Sequence, residues 1–503
     1  MRRQSLGSGP PDVGVLHWTL ASAVAGEVDS LAKHPKTEPP RPRPGDELSV
    51  TIDRLAYGGE AVGRHEGLVV FVTGAAPGET VRVRVRAVQR RHVEADVVAV
   101  EKASSERVNP RCIHFAQGCG GCSWQHVEED AQLRAKSEAV RDSLERVGGL
   151  RDLPLRPIIA APSPWHYRNK MEFAFHPDGL LGLHPRGAWN RILPLQECFL
   201  SPPSTVALVK AAQEFVRQEK LPLHDPRTHE GLLREMIVRQ SRATGEIMVG
   251  IVTSPGRFEA APAMAEHLAS VDRNVVSVVR AIRASVNTAA PVQETVVMRG
   301  HDHITEVVGG LRFRIGIETF FQTNSAQAER LVALVRELAD CSHGCLAMDV
   351  YCGVGMFALA LAGAGAKVAG VELSEASIVA ARANAAANGI ANAYFYAGDA
   401  RSVLPRVLAE HGNPRVLVLD PPRSGAGGKV MRRIARSDPD RIVYVSCNPT
   451  TLARDLQELQ PFGYRISVVQ PLDLFPQTYH VETVVALDRC GRHAPEERAF
   501  LSS

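Results

Sequence analysis

Leu346 to Glu372 reads LAMDVYCGVGMFALALAGAGAKVAGVE, and this stretch decides the fold. Leu346 to Val350 has the apolar character of a buried strand. Tyr351-Cys352-Gly353-Val354-Gly355-Met356 is a glycine-containing turn. Phe357 to Ala364 begins a helix, and Val368 to Val371 is a second strand that ends in Glu372. Strand, turn, helix and strand in this order predict a parallel sheet with helices on both faces. Ligands of such sheets bind at the carboxyl ends of the strands.

Gly353 and Gly355 allow the backbone to approach a ligand closely. Glu372, nineteen residues after Gly353, is placed to accept hydrogen bonds from both hydroxyls of a ribose. Asp399 follows the next strand, Tyr394 to Tyr396, where an adenine amino group can be read. The three features together resemble S-adenosylmethionine binding in a Rossmann-like methyltransferase. A nicotinamide dinucleotide stays open as an alternative, although the third glycine position of its turn is Ala358 here.

Downstream, Val416 to Leu419 is a buried strand that runs into Asp420-Pro421-Pro422-Arg423. Proline fixes the turn, so the Asp420 carboxylate is held rigidly. Val443 to Ser446 is another strand, followed by Cys447-Asn448-Pro449. A cysteine at the sheet's carboxyl edge is poorly placed for the core. Phe475-Pro476-Gln477-Thr478-Tyr479-His480-Val481-Glu482 leads into a last strand and presents His480 and Glu482 on one face.

Toward the amino terminus, Leu48, Val50 and Ile52 alternate with polar residues, as do Val81, Val83 and Val85 with Arg82, Arg84 and Arg86. Several short strands over residues 46–104 predict a small closed barrel of the OB type. Arg82, Arg84 and Arg86 share one face, extended by Arg90 and Arg91, with no acid between Val81 and Arg91. The stripe reads as a phosphate-tracking groove or as a solvated outer face. Residues 1–45 carry a Gly- and Pro-rich start and the charged, Pro-rich segment from Lys33 to Pro44, and read as a disordered extension. The weakly apolar run Val15 to Ala25 has the outline of a signal peptide, interrupted by His17.

The chain has 503 residues, a net charge of +3 and 22% charged residues, which excludes a histone-like basic binder and an acidic disordered chain. Nine cysteines exclude a disulfide framework and point to a reducing compartment. Cys112, Cys119 and Cys122 lie on a Gly-rich turn, and Cys198 can supply a fourth thiol. Four thiolates suit zinc or an iron–sulfur cluster, and unligated thiols remain the plain alternative. Cys341, Cys345, Cys352 and Cys490 receive no chemistry. Glu129 to Val147 has helical spacing and ends at Gly148-Gly149. Arg168 and Lys170, among aromatic residues from Tyr167 to Phe175, are candidate RNA contacts or exposed bases of a strand edge.

Several stretches together resemble the class I RNA uracil-5-methyltransferases. They are FFQTN (Phe320 to Asn324), LDPPR (Leu419 to Arg423), SCNPTTLARDL (Ser446 to Leu456) and FPQTYHVE. YGGEAVGR, Tyr57 to Arg64, resembles the TRAM domain, a small RNA-binding barrel. Cys112 through Gln125-His126 resembles the cluster-binding segment of the iron–sulfur members, whose four cysteines hold a [4Fe-4S] cluster.

The resemblance implies a Rossmann-like α/β methyltransferase domain at 316–503, a TRAM-like barrel at 46–104 and a central α+β iron–sulfur domain at 105–315. It implies Cys447 as nucleophile and Glu482 as general base. Gln322, Tyr351, Glu372, Asp399 and Asp420 would contact the donor, S-adenosylmethionine, with Asp420 also available to orient the uracil edge. Cys112, Cys119, Cys122 and Cys198 would ligate a [4Fe-4S] cluster. Met356 departs from the family, which often has Asn there. Phe320 and Phe321 are candidates for stacking on RNA bases, or for core packing.

The expected product is 5-methyluridine in 23S ribosomal RNA, made by a cytoplasmic monomer. A tRNA uracil-5-methyltransferase is the alternative. A radical S-adenosylmethionine tRNA-modifying enzyme is a further alternative, although it needs CxxxCxxC where the cysteines here are spaced x6 and x2; a non-catalytic RNA-binding protein has no use for Cys447 and Glu482.

Overall fold

In the computed structural model, the described residues are 41–188, 190–287, 290–341 and 343–490. The extension expected at 1–45 therefore falls mostly outside them. β1 (Glu47–Leu55), β2 (Ala61–His65), β3 (Leu68–Thr73), β4 (Thr80–Val88) and β5 (His92–Lys102) close a barrel in the order β1-β2-β3-β5-β4. Alternation explains its core: Val81, Val83 and Val85 point in, and Arg82, Arg84 and Arg86 point out. Trp124, Val127, Ala131 and Ala135 join that core from outside the barrel.

The arginine stripe is exposed, but it is not bare. Arg84 donates to Glu47 at 2.8 Å, and Arg86 reaches Asp96 at 2.8 Å and Glu94 at 3.3 Å. Arg82 lies 3.7 Å from Glu47. Neighbouring strands supply the acids that β4 itself lacks. Exposed pairs of this kind are weak, so the arginines remain exchangeable toward phosphate.

A second sheet follows: β6 (Lys170–His176), β7 (Leu180–Leu183), β8 (Leu193–Pro194), β9 (Leu233–Gln240), β10 (Ile247–Thr253), β11 (Val275–Ile282) and β12 (Glu294–Gly300). Its order is β12-β11-β10-β9-β6-β7-β8. A hairpin, β13 (Ile304–Val308) and β14 (Leu311–Ile315), leads to the helix Ser325–Ala339. Part of the stretch 105–315 also packs on the C-terminal sheet. Its helix Glu129–Asp142, continued by a π-turn at Ser143–Val147, sends Val140 and Leu144 into the core of the C-terminal sheet. Residues 153–159 then run beside that sheet, bridging Leu155 to Val469 and Ile159 to Leu472.

The C-terminal sheet contains β15 (Leu346–Val350), β16 (Lys367–Glu372), β17 (Ala393–Ala397), β18 (Val416–Leu419), β19 (Arg441–Ser446), β20 (Tyr464–Leu472) and β21 (Glu482–Arg489). The order is β17-β16-β15-β18-β19-β21-β20; β17 through β19 are parallel, and β21 is antiparallel to both neighbours. β15, β18 and β19 are buried on both faces, which is why they read as continuous apolar runs. The order reverses between β15 and β18, and this switch point opens the site crevice. Cys341 and Cys345, given no chemistry from sequence, are disulfide-bonded across the turn before β15. Among the described residues no helix is long and apolar enough to cross a membrane.

Candidate active site

Most of the chemically marked residues sit at one edge of the C-terminal sheet. Tyr351 follows β15, Glu372 ends β16, Asp420 follows β18 and Cys447 follows β19. Glu482 opens β21, which runs the other way and so begins at the same edge. Ser446 pairs with Thr483, so Cys447, next after Ser446, and Glu482, next before Thr483, lie at the same end of two hydrogen-bonded strands.

Cys447 is half-buried, ahead of the helix Pro449–Gln457. Asn448 caps that helix, accepting from Thr450 N at 3.1 Å, and Pro449 occupies the first helical turn, where a missing N–H costs nothing. Asn448 Nδ2 and Thr451 Oγ1 also donate to the Arg423 carbonyl, at 3.0 and 3.2 Å. The Asp-Pro-Pro-Arg turn and the cysteine turn are thereby tied together.

Burial pushes the Cys447 thiol up to about 12, with Glu482 and Asp420 adding to the rise and Arg423 opposing it. Glu482 is only 2% exposed, its Oε1 has no hydrogen-bond partner, and burial together with Asp420 holds its carboxyl far above the ordinary range. Burial lifts Asp420 to about 7. Two desolvated carboxyls side by side keep at least one proton between them. His480 is held neutral, down to about 3, by burial and by Arg423, Arg168 and Lys136.

A pocket of about 330 Å³ opens beside this edge, lined by Tyr351, Glu372, Asp399, Arg401, Gly427 and Lys429 among others. The Glu372 oxygens accept from Gly353 N at 3.2 Å and Ser374 N at 2.9 Å, which fixes the carboxylate and leaves lone pairs facing the pocket. Asp399 caps the helix Ala400–His411 and is gripped by Arg401 at 2.7 and 2.9 Å, which pulls its carboxyl down to about 2. Gln322 is buried and, like Asp420, lies outside the pocket lining.

The aromatic pair separates. Phe320 is 67% exposed, whereas Phe321 is buried against Phe313 with ring centroids 5.6 Å apart. Phe321 is therefore a core residue and drops out as a stacking platform. Lys170 pairs with Glu172 at 2.5 Å. Arg168 turns inward and acts electrostatically on Cys119, Cys122 and His480.

Three residues of the quoted stretches had no role assigned from sequence. Arg423 is the cation closest in effect to Cys447. Asp455 accepts from Ala426 N at 2.7 Å, Gly427 N at 3.0 Å and Tyr444 Oη at 2.6 Å, and so shapes the pocket wall. Asp349, buried and raised to about 8, accepts from Ala358 N at 2.8 Å and braces the glycine turn. The signal for Asp349 was a lone carboxylate inside an apolar strand; Asp455, on a helix of mixed polarity, carried no such signal.

Cys112, Cys119, Cys122 and Cys198 line one small cavity together with Met171 and Leu183. Burial raises the Cys112 thiol to about 11 and the Cys122 thiol to about 12, and Cys198 adds to both rises. Among the described residues, no three His, Cys, Asp or Glu side chains converge tightly enough for a single metal ion.

Comparison with known proteins matches this geometry. A family model described as tRNA (Uracil-5-)-methyltransferase matches residues 263–401 and 406–490, and one described as TRAM domain matches residues 41–98. An uncharacterized RNA methyltransferase of Chlorobaculum tepidum is 36% identical, over 89% of this chain and 98% of its own length. One from Thermosynechococcus vestitus is 38% identical over 88% and 98%. The crystal structure of Pyrococcus abyssi tRNA (uracil-54, C5)-methyltransferase with S-adenosyl-L-homocysteine superposes with a TM-score of 0.70 at 29% identity, covering 88% of this chain and all of that one. Strand-end carboxylates around a donor-sized pocket, the TRAM barrel and full-length relatives agree: the chain belongs to the S-adenosylmethionine-dependent RNA (uracil-5-)-methyltransferases that carry a TRAM domain.

Proposed function

We propose that this enzyme methylates carbon 5 of a specific uridine in 23S ribosomal RNA through a covalent Cys447–uracil adduct, with Glu482 assisting its elimination. The observation that supports the reading is that Cys447 and Glu482 follow and precede the last paired residues of β19 and β21, and that Glu482 acts electrostatically on the Cys447 thiol. Carbon 5 of uracil is a poor nucleophile. Addition of the Cys447 thiolate to carbon 6 makes an enolate, and carbon 5 then attacks the sulfonium methyl, releasing S-adenosylhomocysteine. Glu482 removes the remaining proton from carbon 5, and the electron pair expels the thiolate. Tyr351, Glu372 and Asp399 hold the donor from the pocket side; Gln322 and Asp420 hold it from the deeper side, where Asp420 also orients the uracil edge. The target base leaves its stack to reach this edge, and exposed Phe320 offers a ring on which an RNA base can stack.

Cys112, Cys119, Cys122 and Cys198 fit a [4Fe-4S] cluster. The four cysteines line one cavity, and four thiolates are a usual ligand set of such a cluster. A cluster held by these four residues would cross-link residues 112–122 to Cys198 and serve a structural role. The proposed units are a TRAM-like barrel at 46–104, a central iron–sulfur region at 105–315 and the methyltransferase domain at 316–503. The enzyme works as a cytoplasmic monomer.

A tRNA target is the second reading, favoured by the Pyrococcus abyssi neighbour. Mass mapping of modified uridines in total RNA from cells with and without the gene separates the two. Loss of a 5-methyluridine from 23S ribosomal RNA is the expected result, and loss from tRNA alone overturns it.

A further inference from the structure

The barrel reaches into the catalytic edge. The turn between β1 and β2, Tyr57-Gly58-Gly59-Glu60, is closed by Ala56 N donating to Glu60 O at 2.8 Å and Gly59 N donating to Ala56 O at 3.2 Å. Gly58 and Gly59 take φ of +134° and +101°, so the turn is built for glycine. Its tip is pressed between two other parts of the molecule. Trp124 Nε1 donates to Gly59 O at 2.9 Å. A Cβ on Gly59 would stand 3.0 Å from the Tyr479 ring and 3.3 Å from Ser123. Tyr57 meets Tyr479 edge-to-face, with centroids 5.6 Å apart, and donates its hydroxyl to the Cys447 carbonyl at 3.2 Å. Tyr479 in turn lies 4.1 Å from the His480 ring, two residues before Glu482.

The Cys447 carbonyl is the hinge of the nucleophile. It lies between the last ladder residue, Ser446, and the helix cap, Asn448. Fixing that peptide plane fixes the backbone from which Sγ projects. We propose that Tyr57 is a positioning residue for methyl transfer: its hydroxyl holds the Cys447 peptide, its ring packs on Tyr479, and the barrel braces the catalytic edge as well as serving as an RNA-binding module. Burial keeps the phenol protonated far into alkaline pH, so it remains a donor throughout the working range. This inference rests on Cys447 being the nucleophile.

The test compares full-length wild type with Tyr57→Phe and Tyr57→Ala. The substrates are total RNA from cells lacking the gene, and the same RNA carrying 5-fluorouridine. Tyr57→Phe keeps the ring and loses one hydrogen bond, so kcat and the rate of adduct formation at saturating RNA fall about tenfold, while KM for RNA stays within about twofold. Tyr57→Ala falls further in kcat. Unchanged kcat and adduct rate in Tyr57→Phe, or a defect confined to KM for RNA, overturns the proposal and leaves the barrel as an RNA-binding module alone. Absence of any adduct in the wild type instead removes Cys447 from its role, and the proposal falls with that reading.

Discussion

At the scale of the residue, Cys447 and Glu482 carry the heaviest chemical demand. Cys447→Ala is expected to abolish both methylation and the adduct with 5-fluorouridine RNA, read by a gel-shifted protein band; a persisting adduct assigns the nucleophile elsewhere. Glu482→Ala is expected to trap the enzyme on methylated RNA, and normal turnover removes Glu482 as the essential base. The protonation states give a third outcome. The Cys447 thiol is raised to about 12 by burial, Glu482 and Asp420, with Arg423 opposing. A raised thiol is protonated at neutral pH, and the thiolate fraction grows about tenfold per pH unit below that value. Glu482, raised as well, must lose its proton to act as a base. Adduct formation and turnover are therefore expected to climb from pH 7 to 9, and a flat adduct profile contradicts a protonated resting thiol.

The elements explain why the motifs look as they do. Asn448 and Pro449 start a helix, and the same Asn448 grips the Arg423 carbonyl. Asp455, one turn and a half along that helix, holds the loop lining the donor pocket. Gly425 has φ +82°, and a Cβ there would sit 2.7 Å from Asp455 Oδ2. Gly425→Ala is expected to displace that carboxylate and weaken S-adenosylmethionine binding by roughly tenfold, from the loss of about 1.4 kcal/mol of loop hydrogen bonding, measurable by calorimetry. Affinity equal to wild type shows that the loop does not shape the donor site. These elements were largely legible from sequence because strand period, glycine turns and helix caps are written in adjacent residues. The β15–β16 unit is an example. The fate of Phe320 and Phe321 was not legible: two identical neighbours on an irregular stretch carry no period that says which one faces Phe313.

Across the whole molecule, the segment from Asp473 to Glu482 is the meeting point. Ser123 N and Trp124 N both donate to Gln477 O, and Tyr167 Oη donates to Pro476 O at 2.9 Å. Lys136, fully buried, donates to Asp473 at 2.5 Å and to Phe475 O at 3.1 Å. Lys136→Met leaves the Asp473 carboxylate buried and unpaired, a cost of about 3–5 kcal/mol. Urea unfolding is expected to report that loss, and Asp473→Leu added to it is expected to recover most of the stability. Equal instability of the single and double variants shows that lost packing, not the stranded charge, is the cause. On the same scale, protein purified without oxygen is expected to carry about four irons per chain, and zinc in their place overturns the cluster.

By itself the sequence determined the architecture at the C-terminal sheet, the barrel strands and the residues worth testing, since each depends on contacts between near neighbours in the chain. The tertiary structure alone decided that Glu47, Glu94 and Asp96 pair with the arginine stripe, that Arg168 turns inward, that Cys341 and Cys345 join, and that Tyr57 reaches Cys447. Tyr57 and Cys447 stand 390 positions apart. No local period encodes such a partner, because the approach is set by how separately formed units bury their remaining apolar surface against one another.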